Sequence, residues 1–422
     1  MHDTAHILIY LIAALSILLM LLRLRAIAEV YWVATGAALL VLLRLIPLRL
    51  AGKAIAEGTD VYLFLIGMML LSALAEEHGV FHWLAAEAVH RANGSRLRLF
   101  TLVYAIGTVV TIFLSNDATA VVLTPAILTA IRRAKVTPLP YLFACALIAN
   151  AASFVLPISN PANLVVFHDG MPPLSRWLLA FAVPSFLAIA ATYLVLRLLF
   201  RVELKGTIEP ASPEPLNANG KLVLAGLSLT VAVLLTASSL SLYLGLPTCI
   251  AALIIAASIS LRARSNPLKL ARAISWETIT LVAGLFILVD AVQSAGALHL
   301  TEAALHAAER LTPATAAIAT GFAVGIANNL VNNLPLGLIA GGTLHATHTT
   351  GLLANSVLIG VDLGPNLSVT GSLATILWLI ALRKEKLHVS FWTFLKVGIL
   401  AMPLALLAAL GGAILMHYLF GA

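Results

Sequence analysis

Long apolar segments alternate with short polar stretches along the whole chain. The apolar segments recur at about 17–25 residues, the length that an α-helix needs to cross the hydrocarbon core of a bilayer. The alternating pattern of membrane β-strands is absent, so the sequence predicts an all-α polytopic membrane protein. First-half spans are predicted near 6–22, 27–46, 60–77 and 176–200, with an interfacial helix at 80–92, a helical hairpin at 97–133 and a broken span at 139–168. Second-half spans are predicted near 221–240, 245–262, 276–294 and 391–418, with an interfacial helix at 299–310, a hairpin at 314–346 and a broken span at 352–382.

The same order of elements therefore occurs twice. Residues 65–82 also align with residues 282–299, so that Gly67 matches Gly284. Internal similarity of this kind indicates a repeated structural unit. The polar stretch 202–220 is rich in Pro, Glu, Asn and Gly, which is typical of a linker. We therefore predict a first transmembrane repeat at 1–201, a linker at 202–220 and a second repeat at 221–422.

The positions of the basic residues predict the topology. If each hairpin enters and leaves on one side, each repeat has five transmembrane helices, one of them broken, plus a re-entrant hairpin. An odd number of crossings inverts the second repeat relative to the first. About 20 of the 25 Lys and Arg residues then share one side, which the positive-inside rule assigns to the cytoplasm. The other side holds Arg44, Arg49, Lys53, Arg176 and Arg310. This topology places the linker in the cytoplasm and both termini outside an inner (plasma) membrane.

Each hairpin carries one polar motif within apolar surroundings, NDAT at 116–119 and NNLP at 332–335. Hydrocarbon offers no hydrogen bonds, and a carboxylate at that depth costs several kcal/mol. Polar backbone breaks are tolerated at membrane depth only where they line a cavity inside the protein. Two such breaks, half a chain apart, indicate a transport site built from repeats.

The broken spans supply further polar groups beside Pro and Gly residues, at LPISNPANL (156–164) and DLGPNLSVTGSLA (362–374). A helix that stops inside the membrane exposes free N–H or C=O groups at its end. We expect these segments and the hairpin tips to meet near a pseudo-twofold axis. The predicted substrate site comprises Asn116, Asp117, Ala118, Ser159, Asn160, Asn163, Asn332, Asn333, Thr370, Gly371 and Ser372.

The charge of this cluster restricts its ligand. Asp117 and Asp362 are its carboxyl groups, and no Lys or Arg lies in the hairpin cores or the broken segments. A site for a dianion usually contains Arg, Lys or bound cations. The cluster is better suited to a neutral polyhydroxyl compound or a cation. Because a desolvated carboxyl can hold a proton, Asp117 and Asp362 are the predicted proton-coupling residues.

Composition agrees with a membrane carrier, since 61% of residues are hydrophobic and only 10% are charged. The net charge of +7 is explained by the basic loops rather than by nucleic-acid binding, because no basic patch is interleaved with aromatic residues. The two cysteines, Cys145 and Cys249, lie in different apolar segments and predict neither a disulfide scaffold nor a zinc site. We expect no metal, no cofactor and no catalytic residues, and membrane lipid as the surroundings.

The polar motifs resemble those of the ArsB family of arsenite/antimonite efflux proteins, within the ion-transporter superfamily. The similar segments are SNDATAVVLTP (115–125), ISNPANLV (158–165), VNNLPLGLIAG (331–341) and IGVDLGPNLSVTGSLATILWL (359–379). The resemblance covers nearly the whole chain. It implies export of trivalent arsenic or antimony hydroxides in exchange for protons, and a soluble ArsA-type ATPase as a candidate partner.

The chain departs from the family pattern at three positions. Asn150 and Asn366 stand where the family has an acidic and a basic residue, and Val361 stands where some members have Cys. These departures put the family's scheme of proton coupling and any thiol binding in doubt for this chain.

Other functions remain open from the residues themselves. A sodium/proton antiporter, or another carrier of the same superfamily, would also suit a carboxyl-bearing site. A dicarboxylate symporter would carry Ser-Asn-Thr at both hairpin tips, which this chain lacks. The chain could also be the membrane channel subunit of an ATP-driven arsenite pump, with the ATPase on a separate chain because no P-loop occurs here. An enzyme is not predicted, since no HExxH-type pair is present.

Overall fold

The computed structural model describes residues 2–22, 27–168, 170–209, 215–263, 272, 274–296 and 298–421. Within these residues the chain is helical, and the only β-pairing is an isolated bridge between Ser95 and Thr207. Part of the predicted linker, 210–214, lies outside the described residues, as do both terminal residues of the chain.

The first half contains α1 (His2–Leu22), α2 (Glu29–Leu42), α3 (Leu48–Glu57), α4 (Thr59–Glu77), α5 (Val80–Arg91), α6 (Arg96–Phe113), α7 (Thr124–Arg133), α8 (Leu139–Ala151), α9 (Pro161–Val166) and α10 (Leu174–Leu199). The second half contains α11 (Ala218–Ser239), α12 (Gly245–Ala263), α13 (Trp276–Ser294), α14 (Leu298–Glu309), α15 (Pro313–Val331), α16 (Asn333–Ala346), α17 (Leu352–Leu363), α18 (Leu373–Lys384) and α19 (Phe391–Phe420).

The predicted all-α membrane architecture is confirmed. In the described part of the chain, nine helices are long and apolar enough to cross a membrane, namely α1, α4, α6, α10, α11, α12, α13, α15 and α19. Two of them, α6 and α15, are the first arms of the predicted hairpins. Helix α3 was not predicted, because its alternation of basic, small and apolar residues gives no long hydrophobic run. It buries Ala51 and Ala54, while Lys53 and Glu57 are exposed.

The packing of the helices repeats the order seen in the sequence. Helix α4 packs against α12 in the same way that α13 packs against α2. The matched glycines lie at these contacts: a Cβ on Gly67 would come 2.8 Å from the Thr248 backbone, and one on Gly284 would come 2.8 Å from Val33 Cγ1. Each half therefore contacts the other through equivalent helices. The inverted orientation of the second half, and the boundaries of the repeats, stay predictions.

Contacts between loops show which segments share one face. Ser95 at the start of α6 pairs with Thr207, and Lys135 just beyond α7 lies 2.9 Å from Glu209 Oε1. The two ends of the first hairpin thus lie on one face, whereas its re-entrant course in the membrane stays a prediction. Arg132 Nη1 lies 2.7 Å from Glu385 Oε2 and adds the end of α18 to this face.

The opposite face carries the start of α4. There Asp60 Oδ1 accepts a hydrogen bond of 2.7 Å from Gly245 N at the start of α12. These groupings agree with the division of loops used in the charge count. Which face is cytoplasmic stays a prediction.

Candidate functional site

The first hairpin turns within five residues. Helix α6 ends at Phe113, and the Ser115 hydroxyl accepts a hydrogen bond of 3.2 Å from Ala118 N. Asn116 Oδ1 accepts a bond of 2.9 Å from Asp117 N, which fixes the backbone of the turn. A π-helical segment, Ala118–Leu123, then leads into α7. Because π-helical turns are frequent at functional sites, this local departure from α-geometry makes the tip a candidate site.

The second hairpin has a different tip. Asn332 has φ +81° and ψ 152°, a region that residues other than glycine rarely occupy and that costs about 1–3 kcal/mol. Its Oδ1 accepts from Leu334 N at 3.4 Å, and its Nδ2 donates to Thr370 O at 3.2 Å. Asn333 N donates to Gly371 O at 3.0 Å. The tip is therefore held to the break between α17 and α18.

The two broken spans also begin new helices at this depth. Asn160 caps α9 through Ala162 N, 3.0 Å from its Oδ1, and donates from Nδ2 to Asp362 Oδ1 at 2.7 Å. Ser372 caps α18 through Thr375 N at 3.1 Å. Gly371 permits a close approach, since a Cβ there would lie 2.5 Å from the Pro365 Cα.

The first residues of four helical segments meet at one small cavity. Its volume is about 20 Å³, which holds roughly one water molecule. It is lined by Asn116, Asp117, Asn160, Pro161, Asn333, Leu334, Leu373 and Ala374, together with Leu65, Thr278 and Val282 from α4 and α13. A helix N-terminus carries about half a positive charge. The cavity therefore offers a positive backbone potential, one carboxyl group and several amides.

A larger vestibule of about 260 Å³ leads from Asp117 to Glu76 and Ser275. It shares Asp117, Leu65 and Thr278 with the small cavity. Glu76 lies at the end of α4, on the face that carries the first-hairpin loops, so the site is open toward that face. In the described part of the chain, neither space is lined by Lys or Arg.

The opposite face has the larger cavity, of about 810 Å³, but it does not reach the polar cluster. It is lined by the far ends of α9 and α16, including Phe167 and His345. Between this cavity and the site the two helices are in close contact, because a Cβ on Gly341 would lie 2.6 Å from Val166 O. Access in this conformation is therefore from one face.

Some predicted site residues do not line the cavity. Ser159 donates from its hydroxyl to Ile112 O at 2.9 Å, and Asn163 donates from Nδ2 to Ser153 O at 2.9 Å. Thr370 donates to Asn329 O at 2.9 Å. These three side chains brace the broken spans. Asp362 is fully buried behind Asn160 and contacts the cavity only through that residue.

Three residues that line the cavity from α4 and α13, Leu65, Thr278 and Val282, were not identified from the sequence as ligand contacts. They lie in α4 and α13, away from the polar motifs of the hairpins and broken spans, so no sequence signal distinguishes them from packing residues. The family departures at Asn150 and Asn366 prove to be partners, since Asn150 Nδ2 donates to Asn366 Oδ1 at 2.9 Å. In this chain a neutral amide pair thus occupies the two positions at which the resemblance leads one to expect opposite charges.

Comparisons with known proteins agree with this architecture. A family model described as a citrate transporter (CitMHS) matches residues 9–360. An arsenical pump membrane protein of Escherichia coli is 28% identical over 347 residues, which cover 79% of this chain and 81% of that protein. One from Yersinia enterocolitica is 29% identical over 359 residues with the same coverage, and a putative one from Bacillus subtilis is 25% identical over 405 residues, covering 89% and 91%.

One solved structure supports the fold. The crystal structure of the Alcanivorax borkumensis YdaH transporter, described as revealing an unusual topology, covers 88% of this chain and 87% of that one with a TM-score of 0.55. Its sequence identity is 16%, so the likeness concerns the fold alone. The sequence resemblance to the ArsB proteins is confirmed by the curated relatives, and the chain is a multi-pass membrane transporter of that type.

Proposed function

Since the chain belongs to the citrate transporter (CitMHS) family, we propose that it is a secondary active carrier and that it exports arsenite and antimonite in exchange for protons. The observation that carries this proposal is the chemistry of the cavity, where helix N-termini and amides surround a single carboxyl. The relatives named arsenical pump membrane proteins support the choice of substrate.

Arsenous acid fits the groups that line the cavity. It is a neutral trihydroxide near neutral pH, so its oxygens can accept from N–H groups and its hydroxyls can donate to oxygens. The N-terminus of α18 supplies the donors, because the first N–H groups of α16 already bond to Gly371 O and Asn332 Oδ1. Asp117 and Asn333 Oδ1 supply acceptors, and this Asn333 oxygen is buried with no partner among the described residues. No thiol takes part in this mode of binding.

Citrate is the second candidate, because the matched family model carries that description. Helix N-termini favour anions, which supports it. Asp117 opposes it, since a polycarboxylate would meet a carboxylate in a cavity without a lining Lys or Arg. Arsenite is therefore the better supported substrate.

Asp117 is the proposed proton carrier, because it is the only ionisable group among the described residues that line the cavity and lies where the vestibule begins. A carboxylate without a cationic partner is unfavourable in apolar surroundings, so an empty site favours the protonated form. Arsenous acid brings hydroxyl donors that can stabilise the carboxylate. Binding of substrate and release of the proton are then coupled, with Asp362 as the second candidate.

Uptake of radiolabelled arsenite into everted membrane vesicles tests the proposal, with the pH gradient and the membrane potential collapsed separately. Asp117→Asn keeps the size and hydrogen bonding of the side chain but cannot titrate. We expect this variant to bind arsenite while losing uptake driven by the pH gradient.

Asp290→Asn is the matched control, because Asp290 is a carboxyl in a membrane span outside both the cavity and the vestibule. It should transport normally. Full gradient-driven uptake by Asp117→Asn would transfer the coupling role to Asp362, and uptake of labelled citrate instead of arsenite would favour the second candidate.

The cellular setting follows from the charge distribution. We place the carrier in the inner (plasma) membrane with its linker in the cytoplasm and its termini outside, so that the vestibule at Glu76 opens to the cytoplasm. An ArsA-type ATPase would dock on this basic face. Dependence of export on ATP in vesicles without a proton gradient would support such a pump assembly.

A further inference from the structure

A second group of polar side chains lies behind the cavity, where α8 and α17 end inside the membrane. Asn150 is near the end of α8, Asp362 is near the end of α17, and Asn163 lies in α9. All three are at most 1% exposed. Because helix C-termini carry partial negative charge, this place favours a positively charged ligand, whereas the helix N-termini at the cavity favour oxygen atoms.

Ser153 brings the three side chains together. Its hydroxyl donates to Asn150 O at 2.7 Å and lies beside the Asp362 carboxyl. Its carbonyl accepts from Asn163 Nδ2 at 2.9 Å. Ser153, in the break between α8 and α9, thus contacts all three residues.

Each of these side chains presents an oxygen that has no hydrogen-bond partner in the described part of the chain. These atoms are Asp362 Oδ2, Asn150 Oδ1 and Asn163 Oδ1. The remaining polar atoms are occupied: Asp362 Oδ1 accepts from Asn160, Asn150 Nδ2 donates to Asn366, and Asn163 Nδ2 donates to backbone carbonyls. Buried polar groups are normally paired, so three unpaired acceptors on residues that share the neighbour Ser153 point to a cation coordinated by several oxygens.

We propose that these three oxygens bind one sodium ion. A proton on Asp362 Oδ2 would allow that oxygen to donate to one amide oxygen, but it would leave the other amide oxygen unpaired. A metal cation can contact all three oxygens, together with backbone carbonyls at the helix breaks. One carboxylate balances one positive charge, whereas Ca²⁺ takes 6–8 oxygen ligands. The three residues are at most 1% exposed, and such an enclosed place favours sodium over the larger potassium ion.

The site is connected to the substrate cavity by Asn160. This residue lines the cavity, caps α9 and donates to Asp362 at 2.7 Å. A sodium ion at Asp362 would therefore hold Asn160 in place for the substrate. This coupling rests on the proposed transport function, but the binding of sodium does not.

The test is binding of radioactive sodium to the purified full-length protein in detergent, without arsenite. We expect saturable binding of one ion per chain that excess potassium does not displace and that weakens as the pH falls, because protons compete for Asp362. Asp362→Asn should abolish binding. Asn150→Ala should weaken it by at least about 10-fold, since loss of a residue that only supports a metal ligand already costs about 10- to 100-fold and Asn150 is a proposed ligand.

Asp290→Asn is again the control and should bind sodium like the wild type. Absence of saturable binding to folded wild-type protein, undiminished binding by Asp362→Asn, or equal binding of potassium would each overturn the proposal. If Asp362→Asn does not fold, the stoichiometry, the proton competition and Asn150→Ala still decide. Arsenite binding measured in the same preparation separates the two proposals, since it can persist where sodium does not bind.

Discussion

At the second hairpin tip, Asn332 uses both ends of its amide on the protein, whereas Asn333 Oδ1 faces the cavity without a partner in the described residues. Asn332 also holds an unfavourable backbone conformation at φ +81°. A conformation of this kind persists only when the surrounding contacts fix it. Asn332 therefore shapes the tip, while Asn333 is available to the substrate.

Leucine substitutions at Asn332 and Asn333 distinguish a residue that shapes the hairpin tip from one that contacts the substrate. Asn333→Leu should fold but bind arsenite about 5- to 150-fold more weakly, because each lost buried hydrogen bond costs about 1–3 kcal/mol. Asn332→Leu should lower the unfolding temperature as well, since it removes the contacts that hold the strained backbone. Thermal unfolding and arsenite binding of the purified variants check this. If Asn333→Leu binds arsenite with wild-type affinity, Asn333 contributes to packing and not to substrate binding.

Residue types predict the kind of chemical groups in the site better than they predict which residues line it. Asn116, Asp117, Asn160 and Asn333 line one cavity, because polar groups at membrane depth need partners, and their binding of substrate stays a prediction. Asn163 satisfies the same need by bracing its own chain break. The difference depends on where each side chain points once the broken helices are packed, and no local pattern encodes that direction.

The contacts between spans depend on glycine at matched places in the two halves. Gly67 faces the backbone of Thr248, whereas Gly284 faces the Val33 side chain. A side chain can rotate away from an added methyl group more easily than a backbone can move. The two equivalent contacts therefore tolerate substitution differently.

We expect Gly67→Ala to destabilise the protein by about 1–3 kcal/mol, the usual cost of overpacking, and Gly284→Ala to cost less. Gly411→Ala is the control, because nothing lies within 4 Å of its added methyl group and alanine favours helix by about 1 kcal/mol. Thermal unfolding in detergent would rank the three. The opposite order for Gly67 and Gly284 would contradict this difference between backbone and side-chain contacts.

Element boundaries follow the hydrophobic pattern closely, as α4 and α13 show at 59–77 and 276–294. Long apolar runs are a strong signal because the bilayer imposes a length. Helix α3 escaped this signal because it is short and amphipathic. The hydrophobic pattern also does not predict that α4 and α13 line the site through Leu65 and Thr278. That role arises from packing between distant parts of the chain.

At the scale of the whole molecule, the loops sort into two faces that match the division of basic residues. Lys135, Glu209 and Glu385 share one face, and Asp60 and Gly245 share the other. The positive-inside rule then predicts the orientation of the entire carrier from either face.

Single cysteines introduced in a Cys249→Ser background test the orientation. Phe420→Cys and Lys205→Cys both place the thiol at an exposed position, one near the end of α19 and one between α10 and α11. An impermeant thiol reagent added to intact spheroplasts should label the first, and should label the second only after lysis. The reverse pattern would contradict the proposed orientation while leaving the fold unchanged.

The small size of the cavity has a consequence for any measured affinity. A space for one water molecule cannot admit a trihydroxide, so binding of the proposed substrate requires chains in which the lining residues stand further apart. The apparent dissociation constant is then the intrinsic constant divided by the fraction of such chains, and a fraction of about 1% would make arsenite bind roughly a hundredfold more weakly than its contacts alone allow. A carrier of this design can combine strong contacts in the occupied site with the ready release that turnover requires.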